Sequence, residues 1–197
     1  GGFLELHECE CSRMQAGLRV SGRGSSATVS ASSFNSNRKA GVIVGGTWGS
    51  QKGVEMQGCA CNDNKGSGLV LSRGGAATVK ESSICGNCQS NVGVAEGGRA
   101  VLEKSRCDGS KDGMGLCVSD KGSHATASAS SIISDHSDCV RAWRRGKIKL
   151  YGSQCNNSTN GFGWAAHSHA TVILGHGCMA DGNKRGQCDQ SVGGKVV

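Results

Sequence analysis

The chain has 197 residues, a formal charge of +7, 33 glycines, 12 cysteines and no proline, and only 4% of it is aromatic. Such a length suits one domain, and so few large apolar side chains exclude a thick globular interior; a slender core of Ala, Val, Cys, Ile and Ser fits better. No run approaches the ~18 apolar residues of a spanning helix, so no transmembrane segment is expected. The opening Gly1-Gly2-Phe3 also lacks the basic and apolar regions of a secretory leader.

From the first residues a repeat is visible. Leu4, Leu6, Cys9 and Cys11 already stand in its register. Cys11 begins a series continued by Phe34, Cys61, Ile84, Cys107, Ile132, Cys155 and Cys178, spaced by 23, 27, 23, 23, 25, 23 and 23 residues. Five positions upstream runs a second series: Leu6, Val29, Met56, Val79, Leu102, Ala127, Leu150 and Ile173. Two registers locked over eight copies mean one supersecondary unit per repeat, each burying its apolar face against its neighbours.

Residues 17–40 spell one unit. Leu18 and Val20 alternate with Arg19, a strand with one buried face; Gly22-Arg23-Gly24 turns; Ala27 and Val29 flank Thr28 in a second strand; Ser32 and Phe34 begin a third. Three short strands and three corners in about 23 residues describe a coil of parallel β-helix, and no segment has the 3.6-residue period of a helical repeat. Three residues past the reference series stand Asn37, Asn64, Asn87, Ser110, Asp135, Ser158 and Asp181, read as a corner ladder of side-chain hydrogen bonds. The expected fold is therefore all-β: a right-handed parallel β-helix of about eight coils, residues 1–197 forming one domain. Because both ends fall in mid-repeat, the domain reads as an excerpt of a longer solenoid, or as one whose ends partners cover.

The pattern Gly-Leu-x-Val-x-x-Gly followed by Ala-Thr-Val-x-x-Ser-x-Phe-x-x-Asn, as in 17–37 and, with variations, 68–87 and 115–135, resembles the short-coil β-helix repeat of the pectate-lyase-like superfamily. The resemblance covers the whole chain. It implies the fold, and it leaves activity open among lyases, hydrolases, epimerases and plain binding modules.

Enzymes of that superfamily carry acids on the outer face of the first strand. Here the outward positions are Arg19, Ile43, Val70, Gly93, Cys117, Arg141 and Gly163, without a carboxylate. Glycoside hydrolysis needs two carboxyl groups ~5–10 Å apart, and a calcium site needs several converging oxygens. Segment 134–138, Ser-Asp-His-Ser-Asp, is the nearest acidic cluster and reads as a polar turn. No catalytic residue is assigned, and the chain reads as non-catalytic. Cys85 and Cys88 form a lone CxxC, and His167, His169, His176 and Cys178 read as corner residues, so no metal site and no cofactor are implied. The cysteines are too evenly scattered for a disulfide framework, which favours a reducing compartment while leaving location open.

The first corner of each coil offers a different regularity: Arg23, Lys52, Arg73, Arg99, Lys121, Arg144, Arg145 and Lys147, with Trp48 in an insertion at 45–52 and Trp143 beside Arg144. Corners of one phase stack, so these charges form a basic edge. Such an edge suits an acidic protein surface or an anionic polymer. Nucleic acid is disfavoured, since no recognition motif is present. The expected function is a structural or interaction β-helix, a scaffold or subunit of a multi-protein assembly. The alternative is a carbohydrate-binding or carbohydrate-active domain.

Overall fold

A computed structural model of the protein describes residues 1–46 and 53–197. All regular structure among them is strand, and all pairing between strands is parallel. There is no helix long and apolar enough to cross a membrane among the described residues.

Three faces form the coil. A front sheet stacks, in chain order, Ala16–Ser21, Ala40–Gly45, Leu69–Ser72, Val92–Val94, Leu116–Ser119, Val140–Trp143, Trp164–His167 and Cys188–Ser191. A second sheet stacks Phe3–His7, Ser26–Ser30, Val54–Gln57, Ala76–Lys80, Arg99–Glu103, His124–Ser128, Lys147–Tyr151, Thr171–Leu174 and Lys195–Val196. The third face widens to strands only at Arg106–Ser110 and Ser131–Ser134, and elsewhere narrows to single bridges such as Glu10 to Ser33 and Ser33 to Ala60. Pairing always joins a residue to its counterpart one coil on, so side chains stand in columns. Phe34, Cys61, Ile84, Cys107, Ile132 and Cys155 fill one interior column and are fully buried.

Constant spacing misplaces a few residues. Leu174, not Ile173, follows Leu150 in the second sheet; Ile173 pairs with Lys149 and points outward. The extra residue enters earlier, between Gln154 and Trp164, before the front strand of that coil, and a one-residue slip exchanges the two faces of a strand. On the front sheet Ala165, not Gly163, stands above Arg141, and Asp189 follows in that column, so an outward carboxylate does occur there. In the corner ladder Ser134 replaces Asp135, bonding Ser110 Oγ at 3.3 Å across an irregular register. Asn183 replaces Asp181: its amide donates to the Cys155 carbonyl as Asn87 does to that of Cys61, at 2.8 and 3.0 Å. The first members behave as expected: the Asn37 N–H donates to Asn64 Oδ1 and the Asn64 N–H to Asn87 Oδ1, at 2.9 and 3.0 Å.

A second polar ladder runs inside, two residues before the reference column. Each hydroxyl accepts the N–H of the equivalent residue one coil earlier: Ser105 takes that of Ser82, Ser130 that of Ser105, and Ser153 that of Ser130. The same hydroxyls donate to carbonyls two residues back. Buried polar groups are thereby matched without water. Close packing also fixes Gly68, where a Cβ would meet Ile84 Cγ2 at 2.2 Å and Asn87 Nδ2 at 2.7 Å. Replacing Ser105 by Ala removes an acceptor and a donor from this ladder, and should lower unfolding free energy by about 1–3 kcal/mol in urea titration. An unchanged midpoint would show the ladder to be dispensable.

Candidate functional site: a basic corner

Whereas the left-handed residues are separated by one position at Gly22 and Gly24 and at Asp120 and Gly122, at five of the described corners joining the front sheet to the second sheet two successive residues take left-handed backbone. Arg73-Gly74 and Glu96-Gly97 do so with φ of 50° and 72°, and 50° and 79°. The ladder that places Gly46, Gly74 and Gly193 at the second position places Arg145 and His169 there too, since the Gly74, Arg145 and His169 N–H groups bond one coil on in the same way. Arg144 and Arg145 have φ of 48° and 68°. L-residues in this region cost roughly 1–2 kcal/mol each, which glycine avoids. Strain of this kind, kept where glycine serves other coils and shared by His169, motivates asking what the side chain does.

Beyond this corner the second sheet begins with an outward column of Arg99, His124 and Lys147, followed by Thr171 and Lys195. The next outward column carries Val101, Thr126 and Lys149. Together with Arg145, Ser123 and Gly122, the residues His124, Thr126, Lys147 and Lys149 line a half-open cavity of about 480 Å³. No carboxylate lines it. Neighbouring lysines ~5–7 Å apart along and across such strands repel by about 0.6–0.9 kcal/mol even in water-like surroundings. His124 is half-buried; burial first, then the nearby Arg99, Lys147 and Lys149, hold its imidazole below the usual value, against a hydrogen bond with Gly122 backbone that raises it.

The residues picked out from sequence divide accordingly. Arg145 and Lys147 line the cavity, and Arg99 flanks it through His124. Lys121 is exposed in the corner one coil before. Arg144 lies over the Trp143 ring, 4.3 Å from its centroid. Arg23 is exposed in the first full coil, and Arg73 pairs with Glu96 at 3.5 Å, so an acid interrupts the edge there. Lys52 and Trp48 fall outside the described residues. His124 and Lys149 were missed, although both sit in phase with Arg99 and Lys147 or one outward step beyond. The signal was available in the spacing.

Trp143 turns away from the cavity onto the front sheet. There, with Val70, Gly93, Met114 and Cys117, it lines a more apolar depression of about 470 Å³. Its indole Nε1 is buried, with the Cys117 thiol as its hydrogen-bonding neighbour. Arg141 on the same face is held by Asp138, whose Oδ2 receives Nη2 at 2.6 Å and whose Oδ1 accepts the Phe162 N–H at 2.9 Å. Asp138 is thus a buried structural acid. In the last coils His167 Nδ1 lies 2.5 Å from Ser191 Oγ, and His167 Nε2 lies 3.6 Å from Asp189. Among the described residues no three His, Cys, Asp or Glu side chains are placed to hold a metal ion.

Burial, opposed by the Arg141 guanidinium and the Trp143 indole, pushes the Cys117 thiol up to about 11, whereas Cys188 is exposed. Thiolate is the reactive form. Iodoacetamide at pH 8 should therefore modify Cys188 well ahead of Cys117, as read by peptide mass spectrometry; the reverse order would contradict the burial.

Comparisons with known proteins bear on the scaffold. No curated protein matches the sequence. Among solved structures, the A-module of a mannuronan C-5 epimerase from Azotobacter vinelandii superposes with a TM-score of 0.55 at 12% identity, over 95% of this chain and 59% of that module. The chain thus spans less than two thirds of the module, and the likeness is one of fold. The family model described as a right handed beta helix region matches residues 16–173. With parallel coils of about 24 residues and a match over most of its length, the chain belongs to the right-handed β-helix family.

Proposed function

We propose that this β-helix is a binding module that docks an acidic or anionic partner through the corner and adjoining face built by Arg99, Lys121, His124, Arg144, Arg145, Lys147 and Lys149, as part of a larger assembly. One observation carries the reading: Arg145, Lys147 and Lys149 of one coil gather around a cavity that no carboxylate lines, with Arg99 two coils earlier in the column of Lys147. An unbalanced cluster of one sign on a rigid face raises the local concentration of the opposite charge and steers its approach. The strain at Arg145 supports the same reading, because glycine would close that turn at lower cost.

The Arg145→Gly variant separates docking from folding. Relief of the left-handed backbone should leave stability unchanged or raise it by up to about 1 kcal/mol. Affinity for an anionic polymer such as polyglutamate should meanwhile fall several-fold, and the salt dependence of binding should shallow. Binding equal to wild type at every salt concentration would remove the proposal.

A second reading, a carbohydrate-active domain, draws on the front sheet. His167 stands between Ser191 and Asp189, one coil beyond the Trp143 depression. An imidazole held by a carboxylate and a hydroxyl can move a proton. Turnover of a uronate polymer by the protein, abolished in His167→Ala, would favour this reading over pure docking.

A further inference from the structure

We infer that the cavity beside His124 is a phosphate monoester site. The inference rests on reading this corner as an anion-docking surface and names the chemical group it takes. Arg145, Lys147 and Lys149 supply three fixed charges to one cavity of about 480 Å³, and Thr126 adds a hydroxyl. The carboxylates of the same strands and corner are engaged elsewhere: Glu103 pairs with Lys80 at 3.1 Å, and Asp120 accepts from Ser119 Oγ at 3.1 Å. A single carboxylate brings one charge and two oxygens. A phosphate monoester brings about −1.5 to −2 and three strong acceptors, which matches several converging donors on one compact group. No large apolar side chain lines the cavity, so it lacks the anchors that usually centre a protein–protein interface. Its volume leaves room for the carrier of the phosphate.

His124 gives the site a signature. It is flanked in register by Arg99 on one strand and Lys147 on the other, with Lys149 nearby, Arg145 lining the same cavity and the Gly122 backbone as its hydrogen-bond partner. With no anion bound, burial first and then these cations hold the imidazole below its usual value, which disfavours the protonated form. A bound dianion offsets much of this positive field, so binding favours a proton on His124. Toward alkaline pH that proton is lost. Toward acid pH the phosphate, with a second pKa near ~6, becomes a monoanion. Affinity should therefore pass through a maximum.

The test is calorimetric titration of the full chain with inorganic phosphate, a hexose 6-phosphate, a phosphoserine peptide and inorganic sulfate from pH 5 to 8. Saturable phosphate binding with a pH maximum is expected, weakened at least tenfold in Lys147→Glu/Lys149→Glu with the far-ultraviolet circular dichroism unchanged. Sulfate, doubly charged throughout, should lose only the acid limb, and His124→Gln should flatten the alkaline limb while sparing the acid one. Tighter binding of one carrier than of free phosphate would assign the source, and equal binding would confine recognition to the phosphate. No saturable binding of any phosphate, or an alkaline limb that persists in His124→Gln, would overturn the inference. Phosphate binding lost with polymer docking intact sinks this site alone; the converse sinks the docking surface alone.

Discussion

Among the described residues each interior coil is hydrogen-bonded to the coils before and after it, and nearly everything else follows from that commitment. Because pairing joins each residue to its counterpart one coil on, the choice of register at one strand propagates to the next. Interior side chains must then fit both the neighbour in their own coil and the copy stacked upon it. That double demand explains why Val, Ile, Leu, Cys and Ala recur in the same columns and why buried hydroxyls recur in theirs. A serine such as Ser130, which accepts from one coil and donates within its own, satisfies two backbone groups where an alkyl side chain would satisfy none. Such a stack has stability that is a sum over neighbouring coils, with no central core to concentrate it.

Freedom survives at the corners. The turn between the front and second sheets divides two surfaces of opposite character: an aromatic and apolar depression around Trp143, and a hydrophilic cavity ringed by cations. Arg144, stacked on the Trp143 indole, sits at the crest between them. The same turn is where the backbone is most costly, since Arg144 and Arg145 both adopt a conformation that other coils give partly to glycine. Rigid sheets on either side make that cost tolerable, because the flanking strands over-determine the path of the chain between them.

The architecture was legible because the interior columns tolerate little variation, so their spacing survives in the sequence. Departures from it were legible only where side chains differ in character. At 172–174 the run Val-Ile-Leu is apolar throughout, so the pattern could not say which members face inward, and Leu174 displaced Ile173. Asp189 escaped notice because Cys188–Ser191 has no apolar alternation to mark it as a strand. The inner serines, by contrast, were in plain view: Ser32, Ser82, Ser105, Ser130 and Ser153 precede the reference column by two residues, with Cys59 in the same place. The basic corner was half-read. Following the corner alone found Arg145 and Lys147, while His124 and Lys149 required asking which outward residues of the next strand stand beside them.

Columnar stacking also makes each outward face a graduated scale, on which cations occupy some of the marks. Its marks are set by backbone geometry, about 4.8 Å from coil to coil, and no side-chain adjustment can move the underlying marks far. A flexible ligand can adapt to them; a stiff one whose charges recur at another interval will fall in step over two coils and out of step on the third. On the proposed docking role, such a face would discriminate by periodicity as much as by charge, a form of selectivity that a mobile loop bearing the same residues could not exert.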